Sequence, residues 1–208
     1  MRRIPSLVAA VALILVAAPA ARAQAVHVEV TPFIGGFVPT AALGSLRVNL
    51  GLGAPINVKT ELTSAVAFGG RIDVMSRGRF GLQGVYFHSN GGVRTTVAPV
   101  PKTFDAVVQG GALKVNYQAT SAQTGTDLVL SAGVAGVSHS GAAFALTGNQ
   151  FDAGAALGAG LHVVINPSVT LRFDTDLFVH KIQVLPIFPS VTMGDLVVTA
   201  GLGLKLGR

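Results

Sequence analysis

The sequence predicts an all-β chain: eight antiparallel strands closed into an up-and-down transmembrane β-barrel, preceded by a cleaved signal peptide. Three observations carry this. Apolar and polar residues alternate with period two through one segment after another, which is the signature of a strand with two unlike faces. Within those segments the charges keep to one face. The connections alternate long and short along the chain, as they do when strands of a membrane barrel are joined by tight turns at one end and by loops at the other.

Composition sets the frame. The chain has 208 residues, half of them hydrophobic and 12% charged, against about 25% charged in an ordinary soluble domain. Such a chain makes a poor water-facing surface, and its length suits one domain. It contains 26 glycines but neither tryptophan nor cysteine, which excludes disulfides, thiol chemistry and cysteine metal sites. The formal charge is +6, but Arg2, Arg3 and Arg22 lie in a segment expected to be removed; without them 12 basic residues face 9 acidic ones, or +3. With few aromatics and no Lys/Arg cluster, nucleic acid is not an expected partner.

Residues 1–23 read as the signal peptide. Arg2 and Arg3 give a positive start, residues 7–18 an apolar run, and Ala21-Arg22-Ala23 a small-residue cleavage site before Gln24. An apolar run of about 12 residues is short of the ~20 that a spanning helix needs. The barrel domain is then expected over residues 24–208, and no later stretch has the 18 consecutive apolar residues of a membrane helix.

The strands follow in order. In the first, Val26, Val28, Val30 and Ile34 oppose His27, Glu29 and Thr31, with Pro32 at an irregularity. The second spans 62–75, where Val66, Phe68, Ile72 and Val74 oppose Thr63, Ala67, Arg71 and Asp73. After a turn at 76–79 comes a third over 80–88, the least regular of the set, and then a loop rich in Gly and Pro. The fourth begins near Ala112, with Leu113, Val115 and Tyr117 against Lys114, Asn116 and Gln118; past a turn at 123–126, Leu128, Leu130 and Val134 of the fifth oppose Asp127, Ser131 and Gly133. The sixth spans 151–164. The seventh, 169–184, sets Val169, Leu171, Phe173, Leu177 and Val179 against Thr170, Arg172, Asp174, Asp176 and His180. The eighth spans 195–206, with Leu196, Val198, Leu202, Leu204 and Leu206 against Thr199, Gly201, Gly203 and Lys205. Connections at 39–61, 89–111, 139–150 and 185–194 are long and those at 76–79, 123–126 and 165–168 short, the pattern of an outer-membrane barrel with both termini on the periplasmic side.

Alternation alone does not say which face is inside, since a soluble barrel with an apolar lumen alternates too. The charges decide. Glu29, Arg71, Asp73, Lys114, Asp127, Asp152, Arg172, Asp174, Asp176 and Lys205 all fall on the less apolar face. A charge in mid-bilayer costs roughly 2–4 kcal/mol on a lipid-facing strand, so the uncharged faces are expected to meet lipid. Lys181, on an apolar face, lies beyond the roughly 9–11 residues that cross the bilayer. The mixed face is rich in glycine (Gly69, Gly133, Gly154, Gly158, Gly160, Gly201 and Gly203), which leaves room in a lumen only wide enough to be filled by side chains. Phe37, Tyr86, Phe87, Phe151 and Phe178 are expected near the outer rim and Phe80 near the inner.

On this architecture the chain resembles the small eight-stranded outer-membrane barrels, the OmpA-like, OmpX-like and OmpW-like proteins. One local motif adds to the resemblance: Thr199, Gly201, Leu204 and Leu206 have the spacing of the terminal signal in such barrels, with leucines where aromatics are usual and Gly207-Arg208 following. The resemblance implies recognition by the barrel-assembly machinery, with outer-membrane lipid and lipopolysaccharide as surroundings.

Candidate chemistry is sparse. Arg172, Asp174 and Asp176 share one row, which reads either as an acid/base pair or cation site or as a lumenal ion-pair network with Glu29, Arg71, Asp73 and Lys205; a polar lumen favours the network. Phe87-His88-Ser89-Asn90 resembles the His-x-Ser-Asn element of lipid A deacylases but lacks the spacer, so His88 and Ser89 point to opposite faces. Ser138-His139-Ser140 fails likewise. The glycines at 154, 158 and 160 lie in a strand pattern and open no phosphate-binding helix. The five histidines show no metal-ligand spacing, so no catalytic residue, cofactor or metal site is expected. The reading is a monomeric outer-membrane barrel with a largely plugged polar lumen and a structural, adhesive or small-solute-related role. Arg47, Lys59, Arg94, Lys102 and Lys181 make its outer end modestly basic against Glu61 and Asp105. The alternatives are a secreted lipocalin-like barrel with an apolar ligand and, less favoured, a lipid A-modifying enzyme.

Overall fold

The structure is a computed structural model that describes residues 27–48, 56–76, 78–97, 100–120, 125–145, 148, 150–182 and 191–206. The signal segment and the Ala23–Gln24 cleavage pair lie outside the described residues. Ten strands are formed: β1 (His27–Pro39), β2 (Ala42–Val48), β3 (Ile56–Leu62), β4 (Ala65–Met75), β5 (Phe80–Val97), β6 (Val100–Gln118), β7 (Thr126–Ser140), β8 (Gln150–Asn166), β9 (Val169–Ile182) and β10 (Val191–Leu206). Eight of them, β1 and β4 to β10, close a ring by antiparallel pairing of neighbours, sealed where Val28 of β1 meets Leu206 of β10 and Pro39 meets Asp195. No helix of the described residues is long and apolar enough to cross a membrane.

These eight correspond to the eight strands expected from alternation. Three stretches differ. Residues 89–111, expected as a loop, instead continue β5 and β6 as one long hairpin, paired residue by residue up to Val97 opposite Val100. Val and Thr on both arms, with Phe104 on the second, suit a ladder, and the Gly91-Gly92 pair that suggested a break lies within it. The long connection 39–61 contains β2 and β3, a hairpin that leans on the outer part of β5 between Val93 and Val97. The strand expected over 62–75 is broken at Thr63-Ser64, where Thr63 bridges the gap: its hydroxyl accepts from the Gly92 N–H (2.9 Å) and donates to the Gly92 carbonyl (3.0 Å).

The two faces separate as the charges foretold. Outward are Ile34, Val115, Val134, Leu157, Phe173 and Leu202, each between 48 and 67% exposed. Inward are Arg71, Arg172, Lys114 and Asp176, each at most 2% exposed. A soluble ligand-carrying barrel has the reverse arrangement, so the lipocalin-like alternative loses its support. Phe80 and Tyr117 pair at 5.2 Å at the inner end of the outward face, while Tyr86 and Phe151 stand exposed toward the outer end. Phe37, Phe87 and Phe178, expected at the rim, are instead inside the lumen, at most 1% exposed. Their parity is that of Glu29, Gln83 and Arg172 on the same strands, and in a strand parity overrides residue type.

The inward glycines serve two purposes. A Cβ on Gly160 or Gly203 would collide with the carboxylate of Asp174 or Glu29, so these positions make space for the lumenal polar groups. A Cβ on Gly133 or Gly69 would instead run into the backbone of the adjacent strand, at Leu113 or Tyr86, and there glycine permits a close inward bend. The short turns are set locally: Asn166 Oδ1 accepts from Ser168 N (2.9 Å), and Gly125 takes a φ of 73° that other residues avoid.

The expectation that the outward face meets lipid can be tested quantitatively. Leu113→Arg should destabilise the barrel in lipid vesicles by about 2–4 kcal/mol, read from reversible urea unfolding, whereas Phe104→Arg in the outer extension should change stability by no more than about 0.5 kcal/mol. Equal effects at the two sites would mean that the band around Leu113 does not face lipid.

Candidate functional site

The lumen is where the sequence concentrates its chemistry, and β9 shows its order. Every even-numbered residue from Thr170 to Ile182 is buried: Thr170, Arg172, Asp174, Asp176, Phe178, His180 and Ile182. Read from the inner end outward, that row passes through an ion-pair layer, an aromatic layer, a histidine-aspartate cluster and an aliphatic cap. Neighbouring strands contribute residues of the same kind at each level.

The ion-pair layer centres on Arg172. Its Nη1 donates to Asp73 Oδ2 (2.5 Å) and Glu29 Oε1 (2.9 Å), and its Nε approaches Asp174 Oδ2 (3.3 Å). Arg71 continues the layer, with Nη2 on Asp176 Oδ2 (2.7 Å) and Nη1 3.3 Å from Asp174, and the Lys114 ammonium closes on the other Asp176 oxygen. Gln83 and Asn116 donate to Asp73 Oδ1 at 2.7 and 2.6 Å, and His162 Nε2 lies 3.2 Å from Asp174 Oδ1. Three fixed cations thus meet four carboxylates, with His162 beside one of them. Buried charges persist only when paired and hydrogen-bonded, and here the carboxylates are held by several donors at once. Arg172, which bridges three strands, is a cross-link rather than a free group awaiting a substrate.

On the outer side of this layer the lumen turns apolar. The Arg71 guanidinium sits over the Phe33 ring at 4.3 Å, joining the two layers. Phe37 stacks on Phe87 at 6.1 Å, and Phe87 meets Phe178 at 4.9 Å with the rings tilted by 59°. Ala67, Val108, Val137, Ala156 and Val197 fill between them. Gly110 matters here, because a Cβ would occupy the place of the Phe87 ring. On the inner side, a cavity of about 260 Å³ opens at the end of the short turns, lined by His27, Glu29, Asp127, His162, Arg172 and Lys205 among others.

One step further out along four successive strands lies a cluster that spacing along the chain gave no sign of. His139 follows Val137 on β7, Asp152 precedes Gly154 on β8, His180 follows Phe178 on β9, and Asp195 precedes Val197 on β10. His180 Nε2 and Asp195 Oδ2 are 2.8 Å apart, the His139 and His180 rings 5.4 Å apart, and Phe144, in a single 3-10 turn (Ala142–Phe144), covers His139 at 5.6 Å. His139 and Asp195 are fully buried.

Of the polar residues singled out by alternation, Glu29, Arg71, Asp73, Lys114, Arg172, Asp174 and Asp176 lie together in this layer. Lys205 pairs in register with Glu29 but stays at the mouth, where no ion pair to it forms among the described residues. Asp152 belongs to the outer cluster. Gln83, Asn116 and His162 join the network without having been foreseen in it; their parity was the available signal. His88 and Ser89 do face opposite sides. Ser89 is buried and donates to the Val66 carbonyl (3.0 Å), while His88 on the outward face bonds Asn90 (2.9 Å) and Gln109 (3.1 Å). In the terminal motif, Leu204 and Leu206 are outward and about half exposed, and Thr199 is buried with its hydroxyl on the Asp174 carbonyl (3.3 Å).

Comparison with solved structures places this arrangement. The outer membrane protein OprG from Pseudomonas aeruginosa superposes with a TM-score of 0.65, 13% identity, and coverage of 88% of this chain and 96% of that one. This is the fold of the small outer-membrane barrels. The outer membrane protein AlkL, whose structure was determined in lipid bilayers, matches this barrel with a TM-score of 0.55 and 15% identity over 87% of this chain and 90% of that one. The N-terminal β-barrel domain of OprF from Pseudomonas aeruginosa follows at 0.50 and 16%, over 86% and 97%. No protein-family model matches the sequence, and no curated protein matches it.

The central arginine gives a direct test of the network. Arg172→Met leaves Glu29, Asp73 and Asp174 short of a buried cation and should lower barrel stability by about 3–5 kcal/mol, measured by urea unfolding in detergent micelles. A loss below about 1 kcal/mol, within the range of an exposed pair, would show that the layer is solvated.

Proposed function

We propose that the chain resides in an outer membrane as a monomeric, non-enzymatic barrel closed to axial diffusion, acting through its outer surface and not as a pore. The observation that carries this is the succession of filled lumen layers: the Arg172-centred ion pairs, then the Phe37-Phe87-Phe178 aromatics, then the cluster beneath Phe144. The likeness to OprG and AlkL, both outer membrane proteins, supports the location, as does the apolar outward face. Assembly would proceed through the barrel-insertion machinery, with the β10 end as its signal. Cell fractionation should place the protein with the outer membrane, and the purified barrel should migrate differently on gels before and after heating. In planar bilayers it should give no large, stable conductance; such a conductance would overturn the closed reading.

The outer extension supports a contact with anionic lipopolysaccharide. Arg94 and Lys102 stand exposed on the long β5–β6 hairpin, Lys181 at the end of β9, and Lys102 lies 5.1 Å from the Phe104 ring. Lys59 is spent on Glu61 at 2.6 Å, and that bond holds the Glu61 carboxyl below its ordinary range. Reversing Arg94, Lys102 and Lys181 to glutamate should weaken binding to lipopolysaccharide vesicles by about 1 kcal/mol or more per cation. Unchanged affinity would remove the contact.

A further inference from the structure

We infer that His139, His180 and Asp195 form a binding site for one divalent transition-metal ion of the zinc class at the outer end of the lumen, with the Asp152 carboxylate beside it. Ligand atoms of His139, His180 and Asp195 all lie within 4.8 Å of one another. Asp152 Oδ2 lies outside that set but close by, 3.6 Å from His139 Nδ1 and 4.0 Å from His180 Nδ1, so that its charge reaches the site. Bonds of about 2.0–2.1 Å in a tetrahedral site put neighbouring ligand atoms roughly 3.3 Å apart, and the separations here bracket that value.

A simple ion pair leaves the cluster incomplete. His180 and Asp195 satisfy one atom each of the other, but both ring nitrogens of the fully buried His139 have no hydrogen-bond partner, nor do His180 Nδ1, Asp195 Oδ1 and Asp152 Oδ2. Buried polar atoms of native proteins seldom go unpaired, and an unpaired group calls for a water or an ion. Charge points the same way: among the described residues no Lys or Arg pairs with Asp152 or Asp195, so two carboxylates share a recess with only imidazoles to balance them. A divalent cation balances their charge and gives one ring nitrogen each of His139 and His180, with an Asp195 oxygen, a common partner.

The donor set selects the ion. Two imidazoles with a carboxylate and no thiolate suit Zn²⁺ and its borderline neighbours, whereas Mg²⁺ demands octahedral oxygen ligation and retained water. Because the three ligands come from β7, β9 and β10, the ion would clamp the outer ends of these strands above the aromatic layer. The site stands whether or not the barrel conducts.

The full chain, purified as a folded barrel in detergent and stripped of metal with a chelator, is titrated with Co²⁺, Zn²⁺ and Mg²⁺. One Co²⁺ per barrel should give the intense visible bands of four-coordinate cobalt, displaced by Zn²⁺ and not by Mg²⁺, and Zn²⁺ should raise the temperature of the heat-dependent gel shift. His139→Gln and His180→Gln should each weaken Zn²⁺ binding by about tenfold or more, while His88→Gln, on the outward face, leaves it unchanged. Wild-type protein without the cobalt bands, displacement by Mg²⁺, or undiminished binding in folded His139→Gln and His180→Gln would each overturn the site. The cobalt spectrum of the wild type decides the matter if a variant does not fold.

Discussion

The structure depends on a matching of charge inside a closed ring. An eight-stranded barrel has a lumen about wide enough to be filled by side chains, so any cation there is pressed against whatever the other strands supply. Arg172 meets Glu29 from β1, Asp73 from β4 and Asp174 from its own strand. Those carboxylates are themselves shared with Arg71, Gln83, Asn116 and His162. The layer therefore ties sequence-distant strands together, and ring closure and charge pairing support each other: without closure Glu29 and Arg172 do not meet, and without the pairs the closed ring holds uncompensated charge.

From that layer the remaining lumen follows. The Arg71 guanidinium turns one edge to Asp176 and lies over the Phe33 ring, so the change from ionic to aromatic filling passes through a single side chain. Phe87 occupies the width of the barrel because Gly110 opposite it has no Cβ. The aromatic layer lies between the inner cavity and the outer cluster, and His139 and Asp195 are buried beside Phe144 and Phe178. Structural filling and candidate chemistry are thus arranged along the same inward rows.

Much of this was legible in the chain. Alternation gave all eight ring strands and the orientation of their faces, because a period of two survives any register, and the lipid penalty for charge then leaves only one face available to Arg71 or Asp176. Alternation also contained the placement of Phe37, Phe87 and Phe178, whose parity is that of the lumen; an expectation based on aromatic girdles overrode it. The Gly- and Pro-rich stretch 89–111 concealed strand because its ladder is supplied by pairing across the hairpin, a tertiary gain that composition does not display.

The sequence by itself determined that the chain is a two-faced β-barrel, which face carries its charges, and which residues fill its interior, since these follow from local periodicity and from the cost of charge in lipid. Only the tertiary structure decided which of those interior residues meet. His139, Asp152, His180 and Asp195 lie on four different strands with no spacing in common, and they come to one level because the barrel sets the stagger between neighbouring strands. That stagger is a property of the closed ring, and no stretch of the chain carries it alone.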